Sequence, residues 1–371
     1  MKLHPFRAVF PSKKLIDNSG EYLASIKEDF QLLNIQGEFL QEKEQAIYGY
    51  KITKGSDVYF GVIACTDIKD YIDEKILKHE ETIEESEKSN LRRITGKKGF
   101  LSPVLLTHET NANLSNLLRE VCTKDPLYEI LYKPRGILHS IYRMPEPKMQ
   151  DEILEIFNQE IPHVYIADGH HRCAALSKLF GKYGRQQGGY DYSKLFSALF
   201  SFDELKIYDY NRVIRLNSQK SADSLLQRLG HLFNMKPLDT PQKPVRKHHL
   251  TCYFLSKWYQ LEWKEDILKK YKDESVLLDA HILNKEVMRP IFNILDVRHD
   301  ERISYAEGTS DLDSFERQVD SEDIQVGFCL YPVQIHEIKA FADMGLCLPP
   351  KSTWFIPRMK SGVIMHLFRP L

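Results

Sequence analysis

The densest cluster of ionisable residues in this 371-residue chain is Asp168-Gly169-His170-His171-Arg172. It lies between the apolar run Val164-Tyr165-Ile166-Ala167 and the helix-forming Cys173-Ala174-Ala175-Leu176. That order predicts a strand, a tight turn at Gly169 and a helix beginning near His170. The first N–H groups of such a helix have no intrahelical partners and carry partial positive charge, so they favour an anion such as phosphate. Arg172 adds a planar fork for phosphate or carboxylate, His170 and His171 could donate hydrogen bonds or ligate a metal, and Asp168 could hold a cation or act as a base. The competing interpretation has Asp168 merely capping the helix, with the other residues as surface groups. A metal held by these residues alone is disfavoured, because adjacent histidines on a helix point in different directions.

Three further groups could take part. Lys78-His79-Glu80-Glu81-Thr82 falls in a stretch, Glu74 to Glu85, whose composition predicts a helix, and a solvated helix face would explain it as well as a site. Asp209-Tyr210-Asn211-Arg212-Val213 follows an expected strand and could complete a pocket, although a structural Asp–Arg pair fits equally. Lys351-Ser352-Thr353 stands between two prolines and Trp354-Phe355, on a constrained turn that could bind a second phosphate or a substrate carboxylate, or simply close a strand. His248-His249 follows a basic stretch and is expected to be exposed.

The Ala167 to Arg172 run resembles the motif of the uncharacterised DUF1015 family, and the likeness extends nearly end to end through Lys78 to Thr82, Asp209 to Val213 and Pro349 to Phe355. The same DGHHR turn is similar to that of free-serine kinases built on a ParB/sulfiredoxin-like fold. That resemblance implies a turn contacting nucleotide phosphates, an aspartate taking part in catalysis, and an upstream glutamate in a His-Glu-Glu context that activates the serine hydroxyl. Here Asp168 and Glu80 take those places, with a longer spacing between them. Gly169, His170, His171, Arg172, Lys78 and His79 would contact phosphate or nucleotide, and Thr82, Asn211, Arg212, Lys351, Ser352 and Thr353 would be candidates for the substrate.

Phosphoryl transfer needs phosphates held by amides and cations, usually with Mg2+ between their oxygens, and a carboxylate near the attacking hydroxyl. The expected function is therefore transfer from ATP or ADP to the hydroxyl of a small metabolite such as free serine, with Mg2+ as the implied cofactor. Two alternatives remain open: a non-catalytic nucleotide-binding regulatory module, and a phosphoester hydrolase with Asp168, His170 and His171 as metal ligands.

The elements that must position these residues read as α/β, with mixed sheets, helices and a ParB/sulfiredoxin-like core around the turn. Runs 46–52 and 58–64 suit a hairpin turning at Lys54 to Asp57. Val104 to Thr107, Gly136 to Tyr142, His163 to Ala167, Leu195 to Phe202, Leu205 to Tyr208, Cys252 to Leu255, Trp258 to Trp263 and Val326 to Tyr331 read as strands. Leu114 to Val121, Asp151 to Gln159, Val276 to Met288 (interrupted at Pro290) and Ile335 to Met344 read as helices. Ser86 to Lys98 is a mobile loop or an exposed helix, and Gly181 to Tyr192 a loop. Pro237, Pro241 and Pro244 suggest a linker, so the expected domains are an α/β core over 1–235 and a C-terminal α/β portion over 236–371.

Composition narrows the partners. With 51 Lys and Arg against 52 Asp and Glu, the net charge of −1 gives no electrostatic case for nucleic acid or an anionic membrane. The six cysteines include no C-x-x-C pair, so reduced structural thiols are expected. Met1 to Pro11 lacks a signal-peptide pattern, and no run approaches the roughly 18 apolar residues of a membrane span, which points to the cytoplasm.

Overall fold

A computed structural model describes the chain except for residues 145, 185–188, 217–218, 322–323, 350 and 369–371. Among the described residues the first sheet contains β1 (Leu3–His4), β2 (Tyr48–Lys54), β3 (Asp57–Asp67), β4 (Ile76–Leu77), β5 (Val104–His108), β6 (Tyr128–Tyr132), β7 (Ile137–Arg143), β8 (Val164–Asp168) and β9 (Lys194–Ser201). Their order is β4-β8-β5-β9-β3-β2-β7-β6, with β1 on β3. The pairs β4/β8 and β5/β9 are parallel, while β8/β5, β9/β3, β3/β2, β2/β7 and β7/β6 are antiparallel. The expected hairpin is β2–β3, and Gly55 supplies the positive φ of its two-residue turn.

The central strands are continuous apolar runs rather than alternating ones because both their faces are covered. Val62, Leu106, Val164, Ile166 and Leu199 are wholly buried. The longer helices around this sheet among the described residues are α1 (Ser19–Ile35), α2 (Glu84–Lys97), α3 (Ala112–Val121), α4 (Pro147–Gln159) and α5 (His170–Tyr183). The Asn111 side chain caps α3 by accepting from the Leu114 amide, and α4 starts on Pro147, whose missing N–H costs nothing in a first turn.

The chain divides into Met1–Lys206 with Pro357–Leu371, and Ile207–Ile356. The second unit holds an antiparallel sheet of β10 (Tyr210–Arg215), β11 (Phe233–Leu238), β12 (His249–Phe254), β13 (Lys257–Trp263), β14 (Ile303–Glu307) and β15 (Gln325–Leu330), in the order β11-β13-β12-β15-β10-β14. Ile214, Leu229, Phe233, Leu261, Val326 and Phe328 belong to its main core.

This division replaces the expected break at 235/236. Strand β10 is hydrogen-bonded between β14 and β15, so Tyr210–Arg215 cannot belong with what precedes it. Pro237 lies within β11, tolerated there because an edge strand need not donate on both sides.

Other expectations also change. The helix expected over Glu74 to Glu85 is instead β4 followed by non-helical chain, and α2 starts only at Glu84, because Ile76 is buried and the Val164 amide bonds to Lys75 O. Ser86 to Lys98 takes the helical alternative, as most of α2. Helix α5 runs on to Tyr183, so the expected loop begins later, and its residues 185–188 lie outside the described residues. The segment expected to break at Pro290 starts at Asp279 and reaches Phe292, with a π-turn over Asn284–Met288 that leaves Pro290 in the first turn of the next helix. His249 is buried in β12, not exposed. No helix among the described residues is long and apolar enough to cross a membrane, and all six cysteines are free thiols.

Candidate active site

Strands β4 and β8 are parallel neighbours, in register at Ile76↔Val164 and Leu77↔Tyr165. Their C-terminal ends therefore point the same way, and each runs directly into a polar motif: Lys78-His79-Glu80 after β4, Asp168-Gly169-His170 after β8. In α/β sheets this is the end where ligands bind. Against β5 the register of β8 slips by one residue between Ile166 and Asp168, a bulge that re-aims the side chain following it.

Gly169 makes the turn at φ +108°, ψ +24°, and its carbonyl accepts the first intrahelical bonds, from the Arg172 and Cys173 amides. A Cβ at this position would stand 2.9 Å from Arg172 Nη2 and 3.0 Å from its Nε. Glycine is thus required both for the backbone angle and for the guanidinium lying across it.

That guanidinium is heavily engaged within the protein. Arg172 Nη1 donates to Ser102 O (3.1 Å), Ser102 Oγ (2.9 Å) and Pro103 O (2.6 Å), while Nη2 donates to Asp168 Oδ2 (2.6 Å). The other oxygen of Asp168 accepts from Arg358 Nη2 at 2.9 Å. Asp168 is therefore a carboxylate clamped between two arginines, one of them 190 residues away in sequence. Arg172, expected to offer its fork to a ligand, positions the aspartate and the 102–103 loop instead.

The histidines also take up occupations other than those expected. His170 is buried and packs edge-on against His79, with ring centroids 4.7 Å apart. Burial holds His79 down to about 4 and His170 well below its ordinary value, so neither ring carries charge near neutral pH. Among the described residues the His170 Nε2 atom is buried without a hydrogen-bond partner. His171 Nε2 accepts from the Ile83 amide at 3.1 Å, which requires that nitrogen to be unprotonated. The rings at 79, 170 and 171 fasten the 78–83 segment to the start of α5, and the neutral pair at 79 and 170 cannot act there as phosphate-binding cations.

This fastening places Glu80 Oε2 4.0 Å from His170 Nδ1. Glu80 is about one-third exposed, and Lys78 is exposed. Thr82 donates its hydroxyl to Glu87, which also takes Lys178 of α5. Burial works against the Glu87 carboxylate, but the bonds from Lys178 and Thr82 outweigh it and hold its pKa below the ordinary value. Glu87 therefore joins α2 to α5 through Lys178, and Thr82 ties the segment before α2 to the same carboxylate.

Beside Asp168 opens a cavity of about 270 Å3, with Lys27, Arg93, Lys97, Asp168, Arg172 and Arg358 in its lining. Asp168 is the one carboxylate among those lining residues. Lys27, Arg93, Lys97 and Arg358 escaped sequence reasoning, since they come from α1, α2 and the segment after Pro357. The single available signal was the basic bias of Leu91-Arg92-Arg93 and Lys97-Lys98.

The remaining candidates belong to the second unit. Arg212 is wholly buried, donating to Tyr210 O (2.6 Å), to Asp209 Oδ1 (3.4 Å) and to Lys351 O (3.4 Å). Burial raises the Asp209 carboxyl to about 7, with Arg212 pulling the other way. Asn211 is buried, and its Nδ2 has no hydrogen-bond partner among the described residues. Lys351 takes a positive φ of 57° and sets its ammonium 5.0 Å from the centre of the Tyr210 ring, and Ser352 Oγ donates to Pro349 O at 2.6 Å. Thr353 is half-buried, and Pro350 lies outside the described residues. Asn211-Arg212 and Lys351-Ser352 are therefore brought together inside that unit.

No curated protein matches this chain. Among solved structures, a free serine kinase in complex with AMP is similar at 16% identity and TM-score 0.39, over 79% of this chain and 87% of that one. SbnI with C-terminal truncation from Staphylococcus aureus is similar at 14% identity and TM-score 0.42, over 83% and 87%. A conserved hypothetical protein from Pyrococcus furiosus is similar at 14% identity and TM-score 0.40, over 85% and 98%. The family model described as a protein of unknown function, DUF1015, matches residues 6–298, and the chain belongs to that family.

Proposed function

We propose that this protein is a phosphotransferase that moves a phosphoryl group from ATP or ADP to the hydroxyl of a small metabolite, with free serine the first to test. The observation that carries the reading is the convergence of Glu80 and the Asp168 turn at the shared end of two parallel strands, beside a cavity rich in cations. The likeness of the DGHHR turn to that of free-serine kinases supports it, and the ParB/sulfiredoxin-like core expected around the turn is part of the same proposal. In this reading Glu80 accepts the proton of the attacking hydroxyl, Asp168 faces the phosphates, and the cavity cations offset their charge. Mg2+ would supply neutralisation of the phosphate charge, and Asp168, on giving up an arginine bond, would be the carboxylate to hold it, leaving Glu80 as the base. Free thiols and a nucleotide both suit the cytoplasm.

The test is incubation of the full chain with Mg2+, ATP or ADP, and serine or a panel of other hydroxyl metabolites, with phosphorylated product read by mass spectrometry. Glu80→Gln should lower turnover by about 100-fold or more, the typical contribution of a general base. No product from any acceptor overturns the proposal. One observation favours a second reading: both oxygens of Asp168 are already held by arginines, an arrangement suited to a nucleotide-responsive module that binds without turnover. That reading predicts thermal stabilisation by nucleotide in the absence of product. A hydrolase with its own metal finds no group of three or more His, Cys, Asp or Glu close enough to hold an ion among the described residues.

A further inference from the structure

We infer that the cavity beside Asp168 is a diphosphate subsite, in which Lys27, Arg93 and Lys97 contact phosphate oxygens outside the DGHHR turn. Three observations lead there. The lining sets five cations against one carboxylate, and that carboxylate is already balanced by Arg172 and Arg358. Among the described residues no carboxylate pairs at salt-bridge distance with Lys27, Arg93 or Lys97, so their charge is unanswered within the cavity. Lys97 also reaches across to the backbone carbonyl of Lys27, which gathers like charges rather than separating them.

Burial lowers the pKa of the Lys97 ammonium. Glu28 opposes that shift, and Arg93 and Lys27 add repulsion to it. Such crowding works against folding unless an anion relieves it, and a concave wall of one sign focuses its field into the cavity.

The geometry selects among anions. A planar carboxylate is satisfied by one bidentate fork, whereas phosphates present oxygens in several directions and carry more charge. Here the five cations converge from four separate elements: α1, α2, the start of α5 and the segment after Pro357. A volume of about 270 Å3 is well above the roughly 10–15 Å3 that admits one water, so the cavity has room for a two-phosphate group. The diphosphate could belong to a nucleotide or be free pyrophosphate. The subsite rests on the phosphotransferase reading only for its assignment to a nucleotide.

Calorimetric titration of the full chain with pyrophosphate, ADP and adenosine tests the subsite. Pyrophosphate should bind, ADP should compete with it, adenosine should not, and added salt should weaken the binding. Arg93→Gln and Lys97→Gln should each weaken pyrophosphate and ADP about tenfold, the usual effect of losing one charged hydrogen bond. Lys148→Gln, an exposed change on α4, should leave both unchanged. Pyrophosphate binding that ADP cannot displace would keep the subsite and assign it to the free anion.

The subsite is overturned if neither anion binds, or if both bind unchanged to Arg93→Gln and Lys97→Gln. Phosphoryl transfer accompanied by unaltered anion affinity in those variants would remove the subsite and leave the transferase. Variant-sensitive anion binding with no transfer to any acceptor would do the reverse.

Discussion

Replacing Gly169 with alanine measures how tightly the turn is built. For an L-residue, a left-handed backbone costs roughly 1–2 kcal/mol, and φ at this turn is +108°. The added Cβ would also stand 2.9 Å from Arg172 Nη2, so the guanidinium must move, and it cannot do so without loosening its bonds to Asp168, Ser102 and Pro103. A hydrogen bond to a charged group contributes about 1.5–3 kcal/mol, and the partial exposure of Asp168 argues for the lower figure. Gly169→Ala should therefore cost about 3 kcal/mol.

In an Arg172→Ala background the steric part disappears and only the backbone part remains, roughly 1–2 kcal/mol. The double-mutant cycle should thus return a coupling of about 1–2 kcal/mol. All three tryptophans, Trp258, Trp263 and Trp354, lie in the second unit, so their emission does not follow this turn. Urea unfolding by far-ultraviolet circular dichroism, with hydrogen exchange at Val164 to Ala167, is the appropriate readout. Equal costs in the two backgrounds would refute the guanidinium as the obstacle, and a cost below about 0.5 kcal/mol would refute the left-handed turn itself.

Two further outcomes are expected. His79, His108 and His139 are buried, with pKa values held down to about 4. Between pH 6.5 and 4 the unfolded chain binds protons that these folded rings refuse, so stability falls on acidification, by about 3 kcal/mol per ring at pH 4. The first unit should unfold within that window, and persistence of its amide protection at pH 4 would contradict the burial assigned to the rings. His171→Ala removes the acceptor of the Ile83 amide. Exchange at Ile83 should accelerate about fivefold, as for a bond of about 1 kcal/mol, and turnover should fall more than KM changes. Unchanged exchange would remove His171 as the fastener of the Glu80 segment.

Much of the frame was legible because its signals are local. The β2–β3 hairpin, the apolar β5 and β8, the glycine at 169 and the start of α5 each follow from a short stretch of chain. What failed depended on distant partners. The acidic, lysine-rich stretch before α2 reads as helix by composition, yet two of its residues pair with β8, and His79 is buried against a ring some ninety positions on.

Arg172 reads as a ligand fork, but the carbonyls that occupy it come from a loop about seventy residues earlier. His249 sits in basic surroundings, and only the register of β12 buries it. Apart from Arg172, the cavity cations belong to no common motif, since α1, α2 and the segment after Pro357 meet only once the chain has folded.

The interrupted layout of the first unit sets an order of assembly during synthesis. Asp168 leaves the ribosome 190 residues ahead of Arg358, the second of its two guanidinium partners. At roughly 5–20 residues per second that gap lasts about 10–40 s. Throughout that interval the whole of Ile207–Ile356 is being made. The turn thus spends its early life with one arginine rather than two, and a nascent chain stalled before Pro357 would carry the Asp168 motif and lack one wall of its cavity.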